Sequence, residues 1–113
     1  MIKLDPIKIG DSIIWKMQLK NADNTAVNLT GFNIDIDAYN KISNTQLFNI
    51  TSLNATANMY ISETNLVNGE YSVVVKDTAT FPAGDYLVDV EYTSADGFKR
   101  STPTFQIKMV ERL

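Results

Sequence analysis

Apolar and polar side chains alternate along most of this chain, and the alternation predicts β-strands. Within residues 12–20, one side of the run carries Ile13, Trp15, Met17 and Leu19, while Lys16, Gln18 and Lys20 lie on the other. A period of two is what a strand with one buried face requires. The same pattern recurs at residues 32–39, 70–76, 85–92 and 104–110.

Weaker segments complete the predicted sheet protein. Residues 2–9 contain Pro6, which cannot donate a ladder hydrogen bond and therefore belongs at a sheet edge. The Asn-rich segment 46–53 is interpreted as a second edge strand, and residues 98–102 form a hairpin with 85–92 around Gly97. We expect a single domain over residues 1–113, an all-β sandwich with one core around Trp15.

The composition removes most familiar active sites. The chain of 113 residues has no cysteine and no histidine, so it has no disulfide, no thiolate nucleophile and no imidazole base or metal ligand. At this length one core can form without a metal or disulfide. We expect no enzymatic activity, no cofactor and no metal.

Charge and hydropathy limit the partners. The net charge is −3, and the Lys and Arg residues are scattered from Lys3 to Arg112, so nucleic acid is not an expected partner. No stretch approaches the apolar length of a membrane span, and the first residues lack the apolar run of a signal peptide. We therefore expect synthesis in the cytoplasm and no membrane partner.

Two acidic stripes are the candidate chemical groups. Asp35 and Asp37 share one face of a strand at about 7 Å, a separation that suits paired carboxylates or a calcium ion. Asp85, Asp89 and Glu91 form a second stripe, which could face a hydrated cation or a basic partner. A solvated sheet face is the favoured interpretation of both.

Four residues are candidates for an interface: Ile14, Val74, Leu87 and Tyr39. The first three are apolar, yet they fall on the outward side of otherwise amphipathic strands. Either a loop or terminal strand covers them, or they contact another protein. Trp15, by contrast, shares the side of Ile13 and Met17, which predicts core packing instead of a sugar-stacking platform.

A series of turn motifs resembles a known family. In order, the chain has Ile9-Gly10-Asp11 before one strand, Asn28-Leu29-Thr30-Gly31 before the next, then Phe81-Pro82-Ala83-Gly84-Asp85-Tyr86, the Asp96-Gly97 hairpin and Thr104-Phe105-Gln106-Ile107. From about Ile9 to Met109 this order resembles small phage and prophage domains typified by the N-terminal domain of baseplate upper proteins (BppU-like). The resemblance implies an immunoglobulin-like antiparallel β-sandwich of about seven to eight strands.

The resemblance also implies a function. Such a protein is a non-enzymatic structural or adaptor component of a phage or prophage virion, made in the bacterial cytoplasm, and it brings no catalytic residues. Its partners would be other virion proteins or a second copy of itself. Baseplate, tail, neck and capsid decoration are all open as its location. The alternative is a carbohydrate- or ligand-binding Ig-like module, favoured by Tyr39, Tyr60 and the pair of Asp35 and Asp37.

Overall fold

The computed structural model describes residues 2–112, which form ten strands and one short 3₁₀ turn, Leu66–Asn68. The strands are β1 (Ile2–Lys3), β2 (Ile7–Lys8), β3 (Ile13–Gln18), β4 (Asn33–Asn40), β5 (Gln46–Thr51), β6 (Met59–Asn65), β7 (Glu70–Val75), β8 (Gly84–Thr93), β9 (Lys99–Ser101) and β10 (Phe105–Val110).

These strands form two sheets. The larger sheet has the order β1-β10-β8-β4-β5, with β2 also on β10 and β9 also on β8, and the smaller sheet has the order β3-β7-β6. This division, with β3, β6 and β7 in one sheet and β4, β8 and β10 in the other, is the immunoglobulin-like arrangement. The predicted fold class, an all-β Ig-like sandwich, is confirmed.

Pro6 adds one strand to those expected. It lies between β1 and β2 and divides the predicted strand 2–9 into two short ones, whereas Pro103 lies between β9 and β10, which were already expected as separate strands. The expected continuous strand 2–9 is therefore broken. The long strands pair antiparallel, but β1 and β2 run parallel to β10, with Ile2 beside Phe105 and Ile7 beside Met109.

The alternating positions build the core as predicted. Residues of one parity on β3, β4, β7, β8 and β10 face the opposite sheet, while their neighbours face solvent. The largest fully buried side chains are Tyr71, Tyr92, Ile13, Leu29, Ile34, Ile36, Ile50, Ile107, Met109, Val73, Val75 and Val88.

Trp15 lies between the sheets but is not the centre of the core. Its ring meets Phe105 edge-on at 5.4 Å between centroids and reaches Phe48 at 6.4 Å. Between those two phenylalanines the larger sheet presents only Val88 and Ala38, which pair with them across the strands. The tryptophan fits over these small residues. It stays half-buried, so the expectation of a core centred on Trp15 is corrected.

The two turn motifs singled out in the sequence each tie a loop to a strand. The fully buried Thr78 hydroxyl donates to the carbonyl of Asp11 at 2.7 Å and accepts the Gly10 N–H at 2.9 Å. The Tyr86 hydroxyl donates to the Pro82 carbonyl at 2.8 Å, four residues upstream. Tyr86 lies near the start of β8, and a tyrosine bonded back in this way is the tyrosine corner of Ig-like sandwiches.

Gly69 closes the 3₁₀ turn in the left-handed region, with a φ of 71°. A Cβ atom there would lie 2.6 Å from the Leu19 carbonyl oxygen and 2.7 Å from that of Val27. The Leu19 carbonyl accepts the Val27 N–H at 3.0 Å, so these two backbone segments are tied to each other. Gly97 has a similar φ of 86°, but a Cβ atom there would meet nothing within 4 Å.

We expect Gly69→Ala to lower the free energy of unfolding by about 2–5 kcal/mol, because it adds a backbone clash to the left-handed strain. Gly97→Ala is the matched control and should cost only about 1 kcal/mol, since strain alone acts there. Urea unfolding of both variants measures the difference. Equal losses would show that the close approach at Gly69 is not what requires glycine.

A second prediction concerns the hydroxyls of Tyr71 and Tyr92, which share a buried hydrogen bond of 2.6 Å. Either single change to Phe should cost about 1–3 kcal/mol, because the remaining hydroxyl loses its partner in the core. The double change to Phe removes both polar groups and should recover most of that loss. Chemical unfolding of all four proteins completes the cycle, and strictly additive losses would contradict the prediction.

Candidate functional site

The four predicted interface residues lie on both outer faces of the sandwich, as two separate pairs. Ile14 and Val74 are directly opposed on β3 and β7 of the smaller sheet. Tyr39 and Leu87 are directly opposed on β4 and β8 of the larger sheet. The outward parity of these residues is as expected, but no single surface can contain all four.

The pair on the smaller sheet extends into a row of three side chains. Val74 faces Ile14 on one side and Tyr60 of β6 on the other. Ile14 is 63% exposed, and no segment of residues 2–112 covers it. The Lys76 amine lies 5.7 Å from the centre of the Tyr60 ring, a cation–π distance that fixes one end of the row.

The pair on the larger sheet is half-buried and tied to an acidic neighbour. The Tyr39 hydroxyl donates to an Asp89 carboxylate oxygen at 3.1 Å. Burial, and then the hydrogen bond and charge of Asp89, raise the pKa of Tyr39. The hydroxyl therefore stays protonated near neutral pH and continues to donate to Asp89, which holds the Tyr39 side chain in place on this face.

The two acidic stripes predicted from the sequence meet on the outer face of the larger sheet. Asp35 is directly opposite Glu91, and Asp37 is directly opposite Asp89, so four carboxylates form a square on β4 and β8. Together with Ser101, Thr102 and Thr104, these four residues line a shallow depression of about 450 Å³. Sequence reasoning found both stripes but missed their union, which depends on strand register.

Each carboxylate of this acidic square already has a partner. Asp35 accepts from the Asn49 amide at 2.6 Å, and Asp37 accepts from the Gln46 amide at 2.7 Å. Asp89 accepts from the hydroxyls of Tyr39 and Thr104, and Glu91 lies 3.7 Å from the Lys99 amine. Within the described residues no group of acidic side chains converges as a metal site would. The arrangement is that of a solvated, hydrogen-bonded sheet face.

Two further surfaces have a defined shape. An apolar groove of about 330 Å³ runs along β3, lined by Leu4, Ile14, Trp15, Lys16, Met17 and Phe105. A mixed pocket of about 420 Å³ lies between the β4–β5 turn and the loop before β8, where Asn40, Thr45 and Gln46 face Phe81 and Tyr86. The sequence predicted Trp15, Met17 and Phe105 as inward positions and Ile14 as an outward one, but not that one side of them would be open.

No helix in the part of the chain that is described has the length and apolar character needed to cross a membrane.

Comparison with known proteins found a similar structure but no related sequence family. No family model matches the sequence, and no curated protein matches it. Among solved structures, one of murine CRIg is similar over 98% of this chain and 92% of that chain, with 14% sequence identity and a TM-score of 0.46. Similarity at this level does not bear on function.

The acidic square generates a stability prediction. Like charges directly opposed on neighbouring strands repel, so Asp37→Asn should raise the free energy of unfolding by about 0.2–1 kcal/mol at low salt. The amide oxygen of the new side chain can still accept from Gln46. The gain should fade at about 1 M NaCl, where exposed charges are screened. Asp96→Asn, in the exposed hairpin turn, is the control and should change nothing. A destabilised Asp37→Asn protein would show that the square stabilises the fold.

The buried tyrosines generate a pH prediction. Burial raises the pKa of both Tyr71 and Tyr92 above the ordinary value near 10. Above about pH 10 the unfolded chain therefore releases protons that the folded chain retains, so stability that is present below this pH is lost as the pH rises. Urea midpoints between about pH 8 and 11 should fall steeply. They should fall less in the variant with both tyrosines changed to Phe, and parallel curves would contradict the assignment.

Proposed function

We propose that this protein is a non-enzymatic structural or adaptor component of a phage or prophage virion, acting by docking to other proteins. The virion assignment is supported by the resemblance to BppU-like domains, whose motif order runs through nearly the whole chain. In this fold the motifs form strand-to-loop ties, such as the Thr78 and Tyr86 hydrogen bonds, and are therefore structural elements instead of reactive groups.

The observation that carries the docking part is the placement of apolar side chains on outward positions. Ile14, Val74 and Tyr60 cross all three strands of the smaller sheet as one row. Leu87 and Tyr39 form a second, smaller patch on the larger sheet. Rows of apolar residues on a solvent-facing sheet typically mark a contact with another protein. Two such faces suit a component that lies between neighbours in a symmetric assembly.

The carboxylates support the same proposal. All four members of the acidic square accept hydrogen bonds or face a lysine, and the half-buried Tyr39 hydroxyl is held by Asp89. A general acid or base needs a group free to exchange a proton with a substrate. These side chains instead form a fixed polar surface beside the Leu87 patch.

Purified particles from an induced lysogen of the source strain test the proposal. Mass spectrometry should find the protein at several copies in each particle. Its absence from repeated preparations would reject the virion assignment.

Variants of the two faces test the docking part. Ile14→Asp and Leu87→Asp each place a charge in one apolar patch, and we expect at least one of them to abolish incorporation into particles. Ile42→Asp is the matched control, because Ile42 is 94% exposed on the β4–β5 turn and lies outside both patches. Circular dichroism and thermal melts exclude unfolding as the cause. If both variants assemble as well as the control, neither patch is the contact.

A carbohydrate- or ligand-binding module is the second candidate. It is favoured by the mixed pocket, where polar side chains of Asn40, Thr45 and Gln46 face the aromatic rings of Phe81 and Tyr86. Sugars bind where an aromatic face and a few amide or hydroxyl groups converge. A glycan array and a calcium titration followed by NMR would detect such a function, and saturable binding with shifts at these residues would place it first.

A further inference from the structure

The strand β3 forms one edge of the smaller sheet and pairs with β7 on one side only. The Leu19 N–H donates to the Gly69 carbonyl at 3.0 Å, on the β7 side, in the register that pairs Ile13 with Val75. Backbone groups of an antiparallel strand alternate in direction with each residue. The N–H and C=O groups of Ile14, Lys16 and Gln18 therefore point to the open side, and nothing in residues 2–112 bonds them.

The other edges of the sandwich are protected against strand addition, whereas β3 is not. The edge formed by β1 and β2 is short and interrupted by Pro6. The pairing of β5 shifts register between Ala38 and Tyr39, and that of β6 shifts between Ser62 and Asn65. Short strands, prolines and bulges are the usual devices that prevent edge pairing. By contrast, β3 keeps an unbroken register over all six of its residues.

An apolar groove lies directly beside this edge. Its walls are Leu4 from the segment between β1 and β2, Trp15 and Met17 from β3, and Phe105 from β10. It encloses about 330 Å³, space for a few aliphatic side chains. In Ig-like sandwiches a first strand often lies next to the second one in this sheet. Here the first strands pair with β10 instead, so Trp15 and Met17 stay half-buried.

We propose that an extended strand of a partner protein adds to the open edge of β3. Its main chain bonds the free N–H and C=O groups of Ile14, Lys16 and Gln18. Its inward side chains are aliphatic and enter the apolar groove, and its outward side chains include an acidic residue opposite Lys16. Strand addition of this kind obtains affinity from the main chain and specificity from alternate side chains. This proposal specifies how the proposed docking would occur. It rests on the proposed function only in taking the partner to be another virion protein.

Charge selects a foreign strand over a second copy of this chain. Among the two-fold pairings of β3 with itself that bring edge-facing residues together, the two with the greatest overlap place Lys16 directly opposite its own equivalent or diagonal to it. Like charges at those positions are destabilising. Lys16 is exposed at the middle of β3 and is paired with Ser72, whereas Glu70 on the same face of β7 is paired with Gln18. The open side of β3 therefore presents a lysine with no carboxylate directly opposite it. An acidic outward residue on the incoming strand complements it.

The probes are capped synthetic nonapeptides that alternate Val or Ile with Thr, and that carry either Glu or Lys at the central outward position. In NMR spectra of the ¹⁵N-labelled free protein, the amides of Ile14, Lys16 and Gln18 should exchange rapidly with solvent. Titration with the Glu peptide should shift these amides and slow their exchange. The Glu peptide should bind about fivefold tighter than the Lys peptide, and Lys16→Glu should reverse that order.

N-methylated peptides separate main-chain pairing from simple apolar contact. Methyl groups on the amides that face β3 should weaken binding about tenfold, whereas methyl groups on the alternate amides should not. Any of three results overturns the proposal: edge amides already protected in the free protein, no shifts on β3 at millimolar peptide, or a dimer joined through β3 in sedimentation. Peptide binding without incorporation into particles would reject the virion assignment alone, so the two failures are distinguishable.

Discussion

The contact of Trp15 with Phe105 and Phe48 joins the edge strand β3 of the smaller sheet to the larger sheet. The larger sheet can receive this ring only because Val88 and Ala38 are small and lie between the two phenylalanines. Phe81 stacks on Phe48 at 5.8 Å, so the same aromatic series also fixes the loop that leads to the tyrosine corner. Trp15 and Phe105 of this aromatic series also line the apolar groove.

Much of this fold could be predicted from the sequence because its strands are amphipathic. The inward positions of β3, β4, β7, β8 and β10 follow from a period of two, which is a local property of the chain. Interruptions of the strands at Pro6 and Pro103 could also be predicted, since a residue without an N–H cannot continue a ladder of hydrogen bonds. The parallel pairing of β1 and β2 with β10 could not be predicted. The same alternation of side chains would also allow these strands to pair with β3 in the smaller sheet.

The candidate surfaces were less predictable, since they depend on which strands become neighbours. Outward parity identified Ile14, Val74 and Leu87, but only register shows that Ile14 meets Val74 while Leu87 meets Tyr39 on the other sheet. The acidic square likewise joins residues about fifty positions apart along the chain. Trp15 was correctly assigned to the inner face. Its partial exposure arises because β1 and β2 pair with β10 and not with β3, and the residues next to Trp15 in the sequence do not reveal that pairing.

The parallel pairing of β1 and β2 with β10 has a mechanical consequence. Ile2 lies beside Phe105 and Lys8 beside Val110, so the first and last described strands run side by side in the same direction. A force that pulls these two ends of the domain apart acts along both strands and loads their hydrogen bonds together in shear. A hairpin pulled at its open end breaks one bond at a time instead. The parallel pairing therefore resists a pull along these strands better than a hairpin of the same length resists a pull at its open end.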